Sequence, residues 1–266
     1  METAEHIRAL DEAGRLLAEA ARKAGTDAEV PTCPDWRVRD LLRHTGTVHR
    51  WATTHIAEGH TTPRATDGGP GLDGEPLLNW FEEGHRRLVV TLRAAPADLE
   101  CWSFLPAPSP LAFWARRQAH ETAVHRADAE SALGGEPGGP APALAVDGID
   151  ELLMGFHARP KSRVRTGTPR VLRVRATDTN TVWTVRLSTE PPAARRSEAD
   201  TEKPVNTMGS VNTMGSETVE GGADCEVSGP APRLYLSLWN RLPFPAVTGD
   251  ASLAELWRKT SAITMD

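Results

Sequence analysis

Pro31-Thr32-Cys33-Pro34-Asp35-Trp36-Arg37-Val38-Arg39-Asp40-Leu41-Leu42-Arg43-His44 is the stretch from which the fold is read. Its two prolines forbid a helix through residues 31–34, because proline lacks the backbone donor and clashes with the preceding turn. The next segment is helical. Val38, Leu41, Leu42, Thr45, Val48 and Ala52 recur at three- and four-residue steps, which draws one apolar stripe along a helix from Trp36 to about Gly59. Asp35 is the expected N-cap. Upstream, Ile7, Leu10, Ala13, Leu17 and Ala21 line a helix over residues 3–24, stopped at Gly25. Downstream, a loop over 60–75 leads to a third helix from about Glu75 to Ala95, with Leu77, Trp80, Phe81, Leu88 and Leu92. Prolines 106, 108 and 110 mark another loop before a fourth helix, from about Leu111 to Leu133. Four helices of this length predict a four-helix bundle.

Residues 134–142, Gly-Gly-Glu-Pro-Gly-Gly-Pro-Ala-Pro, read as a linker, since this density of glycine and proline suits neither ladder nor helix. The texture then changes. Val146 to His157 reads as one helix. Arg170–Ala176 and Thr181–Ser188 alternate around Thr177-Asp178-Thr179-Asn180, the signature of a hairpin. Val174, Trp183, Val185 and Leu187 suit its buried faces, and Arg173, Arg175 and Arg186 a solvated one. Residues 189–223 read as a polar loop. It holds a direct duplication, Val-Asn-Thr-Met-Gly-Ser at 205–210 and 211–216, too short for a solenoid. Ala223–Val227 and Phe244–Thr248 are expected strands. Ala231–Asn240 is an expected helix, and Ser252–Ile263 a closing helix capped by Ser252. The expectation is a two-domain α+β chain: an all-α bundle over 1–134 and a small α+β domain over 143–266.

The bulk numbers agree. At about 150 residues per domain, 266 residues make two. A net charge of -6 argues against a general nucleic-acid or anionic-membrane binder. Cys33, Cys101 and Cys225 are odd in number and far apart, which excludes a disulfide framework and fits a reducing cytoplasm. METAEHIRAL carries charges where a signal peptide needs an apolar core, and no run of 18 apolar residues exists to span a membrane.

The chemistry concentrates in Arg116-Arg117-Gln118-Ala119-His120-Glu121-Thr122-Ala123-Val124-His125-Arg126-Ala127-Asp128. His120 and His125 are five apart, about 140° around a helix, so one straight helix cannot aim both at one ion. Glu121 and His125 are four apart, about 40°, and can chelate together. Carboxylate plus imidazole suits Zn²⁺, and also Fe²⁺, Mn²⁺ or Ni²⁺. A third donor belongs to another helix. His44, His49 and His55 are the candidates, and His44 shares the inward face with Leu41 and Val48. Two plainer readings stay open on spacing alone: a solvated Glu/His pair, and a histidine satisfied within the core.

The segment Pro31–His44, together with His120–Asp128, resembles the mycothiol-dependent maleylpyruvate isomerase family, within the wider DinB-like bundle superfamily. Val227–Leu242 resembles that family's second, sterol-carrier-like domain. The resemblance implies a zinc ion held by the histidine of Leu-Leu-x-His and by both residues of Glu-x-x-x-His: His44, Glu121 and His125. It implies positions left for water or a thiol, with the ion toward the bundle end that faces the second domain. Zinc lowers the pKa of a bound thiol, and the thiolate is the nucleophile. The implied activity is that of a zinc-dependent enzyme using a low-molecular-weight thiol, mycothiol-like, as S-transferase or cis–trans isomerase on a small-molecule electrophile. A non-catalytic metal-binding module and a zinc-hydroxide hydrolase are the alternatives.

Arg241 falls where the resemblance places an arginine of the second domain over the cleft, able to hold a substrate carboxylate through its bidentate fork. Asp128, three residues after His125, is a candidate to orient its second nitrogen, or else pairs with Arg126 or water. Cys33 reads as a small buried hydrophobe and Trp36 as packing at the start of its helix. His49, His55 and His120 read as structural or surface residues.

Overall fold

The computed structural model describes residues 1–198 and 222–263; the 205–216 duplication lies outside them. Four long helices build the first half: α1 (Thr3–Ala24), α2 (Val38–Glu58), α3 (Gly74–Ala94) and α4 (Pro110–Ser131). α1 lies along α4, and α2 along α3. The first three are amphipathic, as their periodicity predicts. α4 is different: Phe113, Trp114, Arg117, His120, Val124 and Asp128 point in several directions and all are buried. The second half of the chain covers the side of α4 that the other helices leave open.

Asp35 does not cap α2. It sits at φ +72°, in the left-handed region that Asp tolerates better than most residues. Arg37 takes the cap position, and its N–H donates to the Asp40 carboxylate at 3.0 Å.

The second half opens with α5 (Pro142–Asp150), which widens into a π-helical turn (Glu151–Phe156). The expected helix from Val146 therefore starts a turn earlier. The connection before it is pinned: Gly138 N–H donates to Glu130 Oε2 at 2.7 Å and Arg126 Nη2 to the Gly138 carbonyl at 2.8 Å. β1 (Arg170–Ala176), β2 (Thr181–Leu187), β3 (Ala193–Glu198), β4 (Cys225–Gly229), α6 (Ala231–Leu238), β5 (Ala246–Gly249) and α7 (Ala251–Thr260) complete the described chain. The sheet order is β3-β2-β1-β4-β5, with β1 and β4 parallel and every other pair antiparallel. The hairpin register sets Val174 opposite Trp183.

Strand β3 corrects the reading of 189–223 as loop. Ala-Ala-Arg-Arg-Ser-Glu has no apolar alternation, and most of it is exposed. Backbone pairing to β2 makes it a strand, and its charged side chains guard a sheet edge. The closing helix is capped by Asp250, whose carboxylate accepts the Ser252 N–H at 3.0 Å, not by Ser252. Arg175 is not simply solvated: its Nε reaches Glu226 Oε1 on β4 at 3.0 Å, and Arg173 lies 3.9 Å from the same carboxylate. Arg186 is exposed.

One apolar cluster runs from Ile7 and Leu10 in α1, through Phe113 and Ala119 in α4, to Trp183 and Trp257 in the second half. The two halves share that core. A second cluster, with Leu17, Leu41, Leu77 and Phe81, closes the far end of the bundle. Among the described residues no helix is long and apolar enough to cross a membrane.

Candidate metal centre

Helical spacing puts Glu121 and His125 on one face of α4, and α2 brings His44 to them. Glu121 Oε1 lies 3.2 Å from His125 Nε2 and 3.4 Å from His44 Nε2. Donor atoms of all three residues fall within 4.8 Å of one another. Two ligands on a tetrahedral ion with bonds near 2.1 Å are themselves about 3.4 Å apart. Two imidazoles and a carboxylate at this spacing fit a zinc-type ion. His44 is not on the core face, however. It lies at the margin of the α2 stripe, with its side chain 40% exposed, and opens onto a cavity.

The other histidines go elsewhere. His49 is buried in the bundle, with Nε2 2.9 Å from Thr122 Oγ1. His55 packs among Trp51, Trp102 and Trp114. His120, on the opposite face from His125, meets Asp147 of α5 at 2.9 Å, and His6 joins the same carboxylate at 3.0 Å. That second donor group is closed. Asp147 Oδ1 also accepts from Arg116 Nε at 2.7 Å, and none of its members borders the cavity. It is a hydrogen-bonded clasp joining α1, α4 and α5.

Behind His125 stands a chain of polar groups that spacing hinted at only in part. His125 Nδ1 meets Asp128 Oδ2 at 2.9 Å. Asp128 in turn accepts from Arg241 Nε and Nη2, both at 2.9 Å, and from Thr32 Oγ1 at 2.6 Å. Arg126 pairs instead with Glu130. The Arg241 fork, which the sequence reading assigned to a substrate carboxylate, is thus engaged by Asp128. Its Nη1 donates to the Trp239 carbonyl at 2.8 Å. Arg241 does line the cavity.

Two neighbours escaped the sequence reading. Arg117, fully buried, forms a close ion pair with Glu151 of the π-helical turn and reaches Glu121 Oε2 at 3.3 Å. The Glu121 oxygen facing the histidines is therefore the one Arg117 does not hold. Its i,i+4 spacing to Glu121 was the available signal. Trp36 is more than packing. Its ring lies 5.1 Å from that of His44 and stacks at 6.3 Å on that of His125.

The electrostatics follow from this geometry. Burial works against charge on His125, but Asp128 and Glu121 overcome it and push its pKa up to about 9. Burial would raise both carboxyls; the imidazole and arginine neighbours hold Glu121 and Asp128 well below the usual range. Asp128, ionised, can only accept, so His125 Nδ1 carries a proton and Nε2 is the nitrogen a cation would take. Cys33 lines the cavity with Sγ 3.5 Å from Arg241 Nη2. Burial and the nearby Asp128 charge push its pKa up to about 12, so it stays a thiol.

The cavity has a volume of about 1440 Å³ and lies between the halves, bordered by α2, α4, the π-helical turn and the end of α6. Typical sites for one small ligand run from about 300 to 1,000 Å³.

Two family models match the chain. One, described as the mycothiol maleylpyruvate isomerase N-terminal domain, covers residues 7–130; the other, described as the MDMPI C-terminal domain, covers 143–256. Among solved structures, the crystal structure of the mycothiol-dependent maleylpyruvate isomerase is similar at TM-score 0.55 and 13% identity, over 88% of each chain. A histidine-to-alanine mutant of the mycothiol-dependent maleylpyruvate isomerase gives TM-score 0.58 at 13% identity, over 91% of this chain and 90% of that one. At such identity the likeness is one of fold. No curated protein matches the chain by sequence.

Proposed function

Because the chain belongs to the mycothiol maleylpyruvate isomerase family through both of its halves, we propose that it is a metal-dependent enzyme using a low-molecular-weight thiol, mycothiol or similar, as nucleophile. The reaction is cis–trans isomerisation or S-transfer on a small electrophile. One observation carries the reading: His44, Glu121 and His125 converge from two helices on the wall of a cavity with room for a thiol and an acceptor together.

His44, Glu121 and His125 would hold the ion, with zinc the best match to the donor set. Bound there, it would lower the pKa of a thiol so that thiolate exists at neutral pH. The chain's own residues do the positioning. Asp128 fixes the His125 tautomer, Arg241 and Thr32 fix Asp128, and Arg117 fixes Glu121. In isomerisation the thiolate sulfur adds to one carbon of a conjugated cis double bond and the π electrons move to the adjoining carbonyl. The new single bond rotates, the electrons return, and the C–S bond breaks. The thiol is regenerated and nothing is oxidised or reduced. In S-transfer the C–S bond is kept, and the adduct takes a proton or loses its leaving group. No cysteine of the chain is needed as nucleophile. Three unpaired cysteines suit the cytoplasm as its compartment.

The test is metal analysis of the wild type beside His44→Ala and His125→Ala, with mass spectrometry for thiol adducts of candidate electrophiles. Both variants are expected to lose stoichiometric metal and thiol-dependent turnover, and Asp128→Asn to bind metal about 10- to 100-fold more weakly. Stoichiometric metal retained in both histidine variants refutes the ligand set. Full metal without thiol dependence refutes the enzyme class and favours a hydrolase or a binding module.

A further inference from the structure

The wall of the cavity beyond the donor cluster is built of aromatic rings. Of the eight tryptophans, four border this one space: Trp36, Trp51, Trp102 and Trp239. Trp36 covers the imidazoles. The others join Phe104 and Phe156 in an unbroken band. Ring centroids are 5.8 Å apart from Trp51 to Trp102, 5.4 Å to Phe104, 6.2 Å on to Phe156 and 6.0 Å to Trp239. Core tryptophans of this protein, such as Trp114, Trp183 and Trp257, are fully closed. Trp51, Trp102, Phe104 and Trp239 are only half-buried, and border the cavity. Rings left open in a concave site gain by being covered, and a flat π-face is the shape that covers them best. The band ends beside the donor cluster, because Arg117 touches Glu121 and its guanidinium lies 5.1 Å from the Phe156 ring.

Charge narrows the ligand further. Of the arginines bordering the cavity, Arg117 is taken by Glu151 and Glu121, Arg241 by Asp128, and Arg43 by Asp40. Arg159 is half-buried at the same wall, 5.6 Å from the Phe156 ring, and no carboxylate among the described residues pairs with it. Arg64, on the loop after α2, also pairs with no acid among the described residues, but contacts His60. In a chain of net charge -6, an arginine that no described acid pairs with, beside an aromatic band, is suited to take an anion.

We propose that this band and Arg159 form the acceptor subsite, and that the acceptor carries a flat aromatic ring and a carboxylate beside its electrophilic carbon. This rests on the thiol-enzyme reading for the identity of the ligand as acceptor. The subsite itself is tested without turnover. The probes are 2-naphthoate, its saturated counterpart decahydronaphthalene-2-carboxylate, and neutral 2-naphthamide, with binding to the metal-loaded protein followed by calorimetry. 2-Naphthoate binds at least about tenfold tighter than either counterpart. Arg159→Ala removes its advantage over the amide, Arg159→Lys restores part of it, and Arg64→Ala leaves it intact. Trp102→Leu narrows its advantage over the saturated acid. Equal binding of the flat and saturated acids overturns the aromatic assignment. An unchanged charge preference in Arg159→Ala, or its loss in Arg64→Ala instead, overturns the role of Arg159. None of the probes reacts, so failure of thiol chemistry and failure of this subsite are read separately.

Discussion

Asp128 is buried and accepts hydrogen bonds from His125, Arg241 and Thr32, so one carboxylate ties a candidate ligand on α4 to the second half of the chain. The i,i+3 step from His125 was legible in the sequence. Arg241, 113 residues further on, was legible only as a resemblance, because nothing local marks a pair closed by the fold. The same holds for His157. It is 1% exposed, with Nδ1 3.0 Å from Ser162 Oγ and its ring 4.7 Å from Trp257. Burial lowers its pKa to about 4, helped by the nearby Arg165 charge. The folded state then binds this proton less readily than the unfolded state, where a histidine titrates near 6.5. Its contribution is present above pH 6.5 and is lost as pH falls toward 4. Between pH 7 and pH 5 this group alone costs on the order of 2 kcal/mol of stability. Denaturant titrations at both pH values are expected to show a smaller loss in His157→Asn than in wild type. An equal loss assigns the acid sensitivity elsewhere.

At the scale of elements, α4 lies where the sequence places a fourth helix, but without the apolar stripe that marks the other three. Its residues face α1, α2 and the second half at once, so no polar stripe remains to contrast with an apolar one. The motif on it was readable because chelation depends on spacing within one helix. Helix α5 meets α4 at Gly148. A Cβ there would lie 2.3 Å from Tyr235 and 2.7 Å from the His120 ring. Tyr235 is fully buried and donates to the His120 carbonyl at 3.2 Å, so it has no free direction to yield. Gly148→Ala is expected to cost about 1–3 kcal/mol by overpacking. Its denaturation midpoint measures this, and a change below about 0.5 kcal/mol would show that the helices part easily at this point. The π-helical turn after α5 aims Glu151 at Arg117, and through it at Glu121. No sequence periodicity predicts such a widening, which is set by the packing it serves.

For the molecule as a whole, the linker suggested two separable units, but the apolar cluster crosses it. The Asp147 clasp and the Arg241–Asp128 pair cross it too. Thermal unfolding is therefore expected to be one cooperative transition, with calorimetric and van't Hoff enthalpies in agreement and bundle and sheet signals coincident. Two resolved transitions would show that the halves are held only loosely.

The sequence by itself determined the helices and the main hairpin, the pairing of Glu121 with His125, and the family. These rest on local steps of two, three and four residues and on motifs that stay contiguous. Only the tertiary structure decided that His44 reaches that pair from the open margin of its helix rather than from the core face, that Arg241 faces Asp128, and that four tryptophans line one cavity. Those facts depend on how helices rotate and cross, and a chain's periodicity fixes which face is apolar without fixing which neighbour that face will meet.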